Sequence, residues 1–445
     1  MVIERPLRLA IIGAGSRGLT YGREAVATGT AVVTALAEPR PDRRLAAAAE
    51  FGVADEWSTA SWPDLAARPD LDVDAVVVTT PDRQHTAPAL AFLDRRLPLL
   101  LEKPMAPTEE EARQIVAAAD RAGVVVCVAH VLRYSAYTTT IKAALAEGAI
   151  GDVVAVEHLE PIGWWHFAHS YVRGNWRRED ESSPMLLAKC CHDLDWLSFV
   201  VDRPALRVSS FGSLTHFTAA NKPAAAGSRC LDCAVEPDCP YSACRIYLDH
   251  VEEPAAQRWP LSILAVEVNR ETITDALRVG PYGRCVYDCD NDVVDHQVVN
   301  IEYAGGVTAS VTVSAFTPMS FRKTRIFGTR GMIEGDGYSV NVFDFVTSRS
   351  TSMQIVDPSD PLAGEGHLGA DAALTRSFLA AVRDDDPGRI LTSPQVSLHT
   401  HEIVWAAERA RRHGRVELVP AEGAALLPST GSGITRPEPV EGPAS

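Results

Sequence analysis

The stretch Leu7-Arg8-Leu9-Ala10-Ile11-Ile12-Gly13-Ala14-Gly15-Ser16-Arg17-Gly18 decides the fold of the first third of the chain. An apolar strand, Leu7 to Ile12, runs into three glycines and then into a helical pattern. In such a strand-turn-helix unit the glycines permit a tight turn, close approach of the backbone to a pyrophosphate, and close packing of helix on strand. The free N–H groups of the helix then face the phosphates. The stretch predicts a dinucleotide site, with these expected contacts: Gly13, Gly15, Ser16, Arg17 and Gly18.

The acid that follows the second predicted strand strengthens this interpretation over that of a simple tight loop. Glu38 ends the strand Ala31 to Ala37 and lies twenty positions after Gly18, where a carboxylate can accept hydrogen bonds from the adenosine ribose. A carboxylate would also repel a 2′-phosphate, so NAD is favoured over NADP. Three arginines could neutralise such a phosphate, but we interpret them as a solvated helix face: Arg40, Arg43 and Arg44.

Short apolar strands and amphipathic helices alternate up to about residue 130. This pattern is typical of a parallel sheet covered by helices on both faces. The predicted strands are 7–12, 31–37, 75–79, 98–102 and 124–129, and the predicted helices are 17–27, 42–51, 86–94 and 108–122. We therefore expect an α/β protein whose residues 1–130 form a doubly wound, Rossmann-type nucleotide domain.

Longer segments with period-two alternation follow, and few helices are predicted before residue 371. The predicted strands are 153–159, 265–269, 293–303, 307–315 and 325–327, and the predicted helices are 371–383 and 394–412. We expect residues 131–420 to form an α+β substrate domain with a large, mostly antiparallel open sheet. The stretch 421–445, rich in Pro, Gly, Ser and Glu, predicts a disordered tail.

The composition narrows the class of partner. The 445 residues carry 42 basic and 58 acidic side chains, a net charge of −16 without a basic run, which argues against nucleic acid. No apolar stretch is long enough for a membrane span, and the start of the chain leads directly into a strand. We expect a cytoplasmic protein with a small-molecule substrate.

Lys103 is the first catalytic candidate. It follows the apolar run Leu97 to Leu101 in the order Glu102-Lys103-Pro104. A lysine at the carboxyl end of a parallel strand stands in the crevice where such sheets bind ligands. Oxidation of an alcohol requires a nearby acceptor or relay for the hydroxyl proton, which this lysine could provide. The alternative is a strand-end lysine that only solvates its ammonium group.

His192 is the second candidate, in a segment with apolar residues at helical spacing, 185–197. Lys189, His192 and Asp195 are three positions apart and would share one face of a single helix. A neutral imidazole is well suited to accept a proton near neutral pH. The alternative is a histidine that only packs in the core.

The segment 163–177 is dense in aromatic, histidine and arginine residues. Aromatic faces with convergent polar groups suit a carbohydrate, so His166, His169 and Trp176 are candidates for substrate contact. A covering loop whose tryptophans pack on the core is the alternative.

Four of the nine cysteines form a cluster, namely Cys230, Cys233, Cys239 and Cys244. Four thiolates in a short irregular segment, 227–245, can saturate a tetrahedral zinc ion and order the loop. We therefore expect a structural Zn²⁺ site. An iron-sulfur cluster is less favoured because hydride transfer needs no one-electron carrier, and free thiols are the third interpretation.

Four motifs, taken together and in this order, resemble the Gfo/Idh/MocA oxidoreductase family, the group of glucose-fructose oxidoreductase and inositol dehydrogenase. The motifs are Gly13-Ala14-Gly15-Ser16-Arg17-Gly18, Thr80-Pro81-Asp82-Arg83-Gln84-His85, Glu102-Lys103-Pro104 and Cys191-His192-Asp193-Leu194-Asp195. The resemblance covers the chain apart from its tail. It implies an NAD(P)-dependent oxidoreductase acting on sugars or cyclitols, with an open sheet that often mediates homo-oligomerisation.

The resemblance also implies roles for individual residues. Lys103 matches the lysine near nicotinamide and substrate, and His192 matches the substrate-side proton acceptor. Asp195 matches a position that can contact substrate hydroxyls. The remaining cofactor-side candidates come from the second and third motifs: Thr80, Pro81, His85 and Glu102.

One departure from the family pattern affects the acid-base assignment. Many members carry an aspartate four residues before the histidine, where this chain has Ala188 followed by Lys189. Lys189 could substitute for that acid or alter the electrostatics of His192.

Three functions stay open: an NAD-dependent dehydrogenase of sugars, amino sugars or cyclitols, an NAD-dependent glycosidase working by transient oxidation and elimination, and a non-enzymatic NAD-binding regulator.

Overall fold

Residues 5–253, 259–357 and 366–420 are described by a computed structural model. The N-terminal part contains a six-stranded sheet in which every pair of neighbours is parallel. Its strands are β1 (Leu7–Ile12), β2 (Ala31–Ala37), β3 (Ser58–Thr59), β4 (Ala75–Val78), β5 (Leu99–Leu101) and β6 (Val126–Val128). Its helices are α1 (Ser16–Ala27), α2 (Pro41–Phe51), α3 (Trp62–Ala66), α4 (Thr86–Asp94) and α5 (Glu109–Ala122). The strand order β3-β2-β1-β4-β5-β6 confirms the predicted doubly wound fold.

Local sequence chemistry explains why these elements begin and end where they do. Apart from the two-residue β3, the strands consist mainly of Ala, Val, Leu and Ile, and most of these residues are buried, as expected for a parallel sheet with helices on both faces. The hydroxyl of Thr108 accepts a hydrogen bond from Glu111 N and caps α5, and Gly123 ends that helix in the left-handed region. The strand order reverses between β1 and β4, so the ligand crevice lies at their carboxyl ends.

The second sheet has nine strands in the order β14-β13-β12-β11-β7-β10-β9-β8-β15. They are β7 (Val153–Pro161), β8 (Ala205–Ser213), β9 (His296–Tyr303), β10 (Thr308–Ser314), β11 (Lys323–Gly328), β12 (Gly331–Gly335), β13 (Ser339–Asp344), β14 (Arg349–Gln354) and β15 (Glu417–Leu418). Neighbouring strands are antiparallel except β7 and β10, which run parallel. The predicted large, mostly antiparallel sheet is confirmed.

Nine helices follow residue 130 within the described ranges. They are α6 (Ala136–Ala146), α7 (Trp164–Phe167), α8 (Met185–Ala188), α9 (Cys191–Val201), α10 (Ala243–Tyr247), α11 (Leu261–Leu264), α12 (Arg270–Val279), α13 (Gly366–Asp384) and α14 (Pro394–His413). The two predicted helices correspond to α13 and α14. None of the described helices is long and apolar enough to cross a membrane.

The predicted strand at 265–269 is wrong. These residues connect α11 to α12, and Asn269 caps α12 by accepting a hydrogen bond from Thr272 N. Helical turns fill much of the connection 214–295, which joins the neighbouring strands β8 and β9. Its apolar side chains form a small core of their own, in which Tyr247, Ile273 and Leu277 are fully buried. We call the described residues of this connection, 214–253 and 259–295, the lobe.

Helix α13 belongs to the core of the first sheet although it lies late in the chain. Leu374 and Phe378 are buried in the same cluster as Leu7, Leu9 and Tyr21. The division at residue 130 thus omits a helix that completes the nucleotide domain. The domain boundaries themselves stay a prediction, and the predicted disordered tail, 421–445, lies outside the described residues.

Candidate functional site

The glycine turn between β1 and α1 has the shape that a pyrophosphate requires. Gly13 adopts φ +95°, and a Cβ there would lie 2.8 Å from the Thr79 carbonyl oxygen. A Cβ on Gly18 would lie 2.1 Å from the Gly13 carbonyl oxygen. At Gly15, the N-cap of α1, the nearest atom would be Arg43 Nη1 at 3.9 Å, and no side chain caps the helix. The first-turn N–H groups are therefore open to a phosphate, and the cradle fits a dinucleotide.

Glu38 lies beside this turn, at the end of β2. Its Oε2 accepts a hydrogen bond from Ala14 N at 2.9 Å and its Oε1 accepts one from Arg40 N at 3.0 Å. Although it is 5% exposed, the carboxylate stands at the carboxyl edge of the sheet, where ribose recognition is expected. The structure thus places Glu38 next to the glycine turn.

Two of the three arginines after Glu38, Arg43 and Arg44, differ from the predicted solvated helix face. Arg40 pairs with Asp42 on the surface, which agrees with that interpretation. Arg44 donates to the Glu38 carbonyl oxygen at 2.8 Å. Arg43 lies near the Gly15 backbone and donates to the Ile263 carbonyl oxygen of the lobe at 3.3 Å. The lobe therefore reaches across to the mouth of the nucleotide cradle, which the spacing of the arginines could not reveal.

Arg17 and Glu102, two predicted cofactor contacts, are bound to each other. Arg17 Nε donates to Glu102 Oε1 at 2.7 Å, and its two terminal nitrogens bind both oxygens of Asp371 at 2.9 and 2.8 Å. Burial opposes ionisation of Glu102, but the charges of Arg17 and Lys103 hold its pKa below the ordinary value. Arg17 therefore links the glycine turn to α13, while Ser16 stays exposed at the first turn of α1.

The Thr80–His85 motif fixes the ends of two strands. His85 is buried, with Nδ1 2.7 Å from the Pro104 carbonyl oxygen and Nε2 2.7 Å from the Thr80 carbonyl oxygen. Both ring nitrogens are thus occupied by the backbone, and the hydroxyl of Thr80 donates to the Gln84 carbonyl oxygen. Thr80 and Pro81 follow β4 at the crevice. His85 connects the backbone after β4 to the backbone after β5.

Lys103 connects the two parts of the chain at the crevice. It follows β5 by two residues, and its Nζ donates to the Ala188 carbonyl oxygen at 2.8 Å. Ala188 is the last residue of α8, directly before the segment that carries His192. Lys103 and the segment that carries His192, two separate predictions from the sequence, are therefore in contact through this hydrogen bond.

The predicted single helix across 185–197 is wrong, because Lys189 and Cys190 interrupt it between α8 and α9. The expected face of Lys189, His192 and Asp195 does not form. Lys189 Nζ lies 3.2 Å from Glu160 Oε1 on β7. Asp195 is fully buried and binds Arg133 through both oxygens, at 2.7 and 2.8 Å. The carboxylate of Asp195 is thus paired inside the protein, and its role as a substrate contact stays a prediction.

His192 lies in a row of three histidines. Its ring centroid is 5.9 Å from that of His130, which follows β6, and 5.7 Å from that of His367, at the start of α13. Its Nδ1 is buried and has no hydrogen-bond partner among the described residues. Burial, reinforced by the charge of Lys103, lowers the pKa of His192 well below its ordinary value. The imidazole is therefore neutral at pH 7 and able to accept a proton.

Buried charges line the side of this site that faces the second sheet. Arg322 Nε lies 2.7 Å from Glu160 Oε2 and 2.9 Å from Asp193 Oδ1, and His158 Nε2 lies 3.1 Å from the same Asp193 oxygen. Glu160, Arg322 and Asp193 are each at most 5% exposed. Asp193 Oδ2 and Arg322 Nη2 have no hydrogen-bond partner in the described structure. Such atoms are available to a polar ligand or to water.

The aromatic segment has two different surroundings. His169 is buried against the lobe, and its Nδ1 lies 2.8 Å from the Tyr247 hydroxyl. His166 is partly buried at 4.9 Å from the Trp259 ring, and burial together with the charge of Lys189 lowers its pKa well below the ordinary value. Trp176 donates its indole N–H to Asp82 Oδ1 at 3.2 Å. His166 thus lies on the Lys189 side of the site, whereas Trp176 joins the second domain to the first.

The expected zinc site is not supported. Within the described ranges, no group of three or more His, Cys, Asp or Glu side chains could hold a metal ion. Cys233 accepts a hydrogen bond from Gly227 N, and Cys230 lies beside the Arg173 guanidinium. A cavity in the lobe is lined by Cys230, Cys233, Cys239 and the distant Cys285, without Cys244. Cys244 was grouped with the other three because it is close to them in the sequence. Sequence spacing does not show which thiols line the same cavity.

Several residues of the site were not predicted from the sequence. They are His130, Glu160, Arg322, His367 and Asp371. His130 follows an apolar strand as Lys103 does, and the spacing of four between His367 and Asp371 suits a helix start, so two signals were present. Glu160 and Arg322 carry no local signal, because only sheet pairing brings them to Lys189.

Comparisons with known proteins agree with this geometry. Residues 7–130 match the model of an oxidoreductase family with an NAD-binding Rossmann fold, GFO_IDH_MocA, and residues 142–418 match that family's C-terminal α/β domain. A 1,5-anhydro-D-fructose reductase of Ensifer adhaerens is 34% identical over 206 residues, which is 45% of this chain and 59% of the relative. Inositol 2-dehydrogenase 1 of Saccharopolyspora erythraea is 35% identical over 153 residues, 34% of this chain and 44% of the relative.

The alignments with these two curated relatives span only about half of their length. A solved levoglucosan dehydrogenase in complex with NADH has the same fold, with a TM-score of 0.68 at 19% identity over 94% of this chain and 100% of that one. The two family models together cover both sheets and the crevice between them. The chain therefore belongs to the Gfo/Idh/MocA oxidoreductase family.

Proposed function

We propose that this protein catalyses NAD-dependent oxidation, or the reverse reduction, of a secondary alcohol on a sugar, amino sugar or cyclitol. The observation that carries the proposal is the hydrogen bond from Lys103 Nζ to the Ala188 carbonyl oxygen. It connects the lysine at the nucleotide crevice to the segment that carries His192, whose imidazole is neutral because its pKa is lowered. Relatives named as a reductase of anhydrofructose and a dehydrogenase of inositol support the substrate class.

The residues that would hold the cofactor are those of the glycine turn and Glu38. When bound, NAD⁺ supplies the acceptor for the hydride that leaves the carbinol carbon. Gly13, Gly15 and Gly18 leave room for the pyrophosphate, and Glu38 faces the ribose side. The carboxylate favours NAD because a 2′-phosphate would meet its negative charge.

The protein side of the reaction is the removal of the hydroxyl proton. Lys103 donates a hydrogen bond to the substrate oxygen and stabilises negative charge there. His192, neutral because it is buried, accepts the proton. Lys189 stays with Glu160 and His166 at the substrate side, where they bind hydroxyl groups.

The test uses a panel of sugars, amino sugars and cyclitols with NAD⁺. Accumulation of NADH absorbance with one of them, lost in Lys103→Met and His192→Gln but with NAD binding retained, supports the dehydrogenase. No turnover with any member, together with unchanged NAD binding in both variants, favours the regulator, since both residues would then be dispensable.

A second candidate function is favoured by the lobe. The hydrogen bond from Arg43 to Ile263 places the lobe over the cofactor entrance, which suits a cofactor that is not exchanged in each cycle. In a redox-neutral glycosidase, oxidation of a ring carbon makes an adjacent C–H acidic, the glycosidic group is eliminated, water adds, and the same hydride returns. Release of the aglycone from glycosides without accumulated NADH would identify this route.

A further inference from the structure

We propose that His367, held by Asp371, is a positioning residue that fixes the orientation of His192 and takes over the proton that His192 accepts. The inference rests on the proposed function. Asp371, on α13, supplies the acidic group that Ala188 cannot provide, and His367 connects this group to His192.

The geometry of the pair supports this role. His367 Nδ1 lies 3.1 and 3.2 Å from the two oxygens of Asp371. A carboxylate at Nδ1 fixes the proton on that nitrogen and leaves Nε2 as an acceptor. The ring of His367 is 5.7 Å from that of His192, centroid to centroid, which direct contact or one bridging water can span. The buried Nδ1 of His192, without a partner in the described structure, is the atom that needs such a neighbour.

The pair is held rigidly from the nucleotide side. Asp371 is 0% exposed, and both of its oxygens also bind Arg17, which in turn binds Glu102, the neighbour of Lys103. Helix α13, which carries Asp371, packs in the core of the first sheet. His367 therefore approaches His192 from the nucleotide domain, whereas His192 comes from the second domain.

The backbone at His367 adopts an uncommon conformation. His367 and Leu368 adopt φ values of +51° and +58° within the first turn of α13. Non-glycine residues rarely adopt this left-handed region, and they persist there where surrounding contacts determine the conformation. The bonds to Asp371 are such contacts for His367.

The charged and titratable groups around both rings agree with a proton path. His192 is influenced by Lys103, His367, His130 and Arg322, and His367 by Asp371, Arg17 and Arg322. In the oxidation direction the substrate O–H bond breaks, and its proton passes to His192 and then to Nε2 of His367. The electron pair of that bond forms the carbonyl, and the hydrogen of the C–H bond would leave with both of its electrons as a hydride, which bound NAD⁺ would accept. The charge of Asp371 stabilises the imidazolium that results.

The test compares His367→Gln and His367→Ala with His413→Gln, an exposed histidine far along α14. We expect kcat to fall about 100-fold or more in the His367 variants, with KM and NAD affinity little changed and the pH dependence of kcat altered. Exogenous imidazole should restore part of the activity of His367→Ala. Unchanged kcat and pH profile, or a loss that imidazole does not restore and that accompanies a lower melting temperature, would overturn the proposal.

A second readout needs no substrate and separates this inference from the proposed function. Nitrogen chemical shifts of the His192 ring in the free protein should show a single tautomer, which becomes a mixture in His367→Leu. Identical His192 shifts in both proteins contradict the coupling even if the wild type oxidises a sugar. A changed tautomer in a protein that oxidises no member of the panel would leave the coupling in place and reject the proposed function.

Discussion

The Nζ of Lys103 donates a hydrogen bond to the carbonyl oxygen of Ala188, at 2.8 Å. The family resemblance implies an aspartate at this position in many members, and the side chain of Ala188 offers the lysine no polar group. The neighbouring Lys189 does not replace that acid, because its Nζ lies 3.2 Å from Glu160. The two lysines thus have separate partners, which divides their expected roles.

Replacement of Lys103 by methionine should abolish turnover without weakening the cofactor site. Because the ammonium is expected to act on the reacting oxygen, kcat should fall about 10²- to 10⁴-fold, while the Kd for NAD stays within about twofold. Steady-state kinetics and fluorescence titration measure both. Lys142→Met is the control, since that ammonium binds the Phe199 carbonyl oxygen on the second domain. Turnover equal to wild type would remove Lys103 from the mechanism.

Replacement of Lys189 by methionine should have a smaller effect. Its loss leaves Glu160 with Arg322 as a remaining partner, so the carboxylate stays paired. We expect KM to rise and kcat to fall by less than about tenfold. A kcat loss as large as that of Lys103→Met would mean that the two lysines share the proton chemistry.

Removal of the negative charge at Glu38 should reduce the preference for NAD. In the wild type, NAD should bind at least about tenfold more tightly than NADP, because a 2′-phosphate would lie near the carboxylate. Glu38→Gln keeps an oxygen for Ala14 N but removes the charge, so the two affinities should approach each other. Titration with both dinucleotides measures the change, and tighter NADP binding by the wild type would refute the assignment.

Acid should destabilise this protein below about pH 6.5. Burial lowers the pKa of His169 and of His401 to about 3, against an ordinary value of 6.5. Between these values the unfolded chain binds more protons than the folded one, so stability is complete above about pH 6.5 and is lost as the pH falls. Each of the two contributes about 1.4 kcal/mol per pH unit in that window. Denaturant unfolding at pH 7 and pH 5 tests this, and equal stabilities would contradict it.

Asp195 should matter for stability more than for substrate binding. It is fully buried and pairs with Arg133, which is 6% exposed. Removal of one partner leaves a buried charge, so Asp195→Ala should lower the free energy of unfolding by about 3–5 kcal/mol. The double variant Asp195→Leu/Arg133→Met should recover much of that loss. Weaker substrate binding by a single variant of unchanged stability would restore Asp195 as a substrate contact.

Sequence patterns predicted the structural features that depend on residues close together in the chain. The alternation of strands and helices to residue 130 is local, and the strand order confirms the doubly wound fold predicted from it. The glycine turn is likewise a local pattern, and Gly13 has the positive φ that such a turn requires. The His367–Asp371 pair reaches His192 only because α13 packs on the first sheet. Likewise, the helix expected across Lys189 to Asp195 is broken where Lys189 turns to Glu160 on β7, a contact that no periodicity encodes.

The catalytic role of Lys103 is tested by the near-ultraviolet absorbance of NADH during incubation of wild type and Lys103→Met with NAD⁺ and a panel of sugars and cyclitols. We expect NADH to accumulate with at least one cyclic polyol for the wild type only, while both proteins bind NAD equally. Equal NADH accumulation by the two proteins would contradict it.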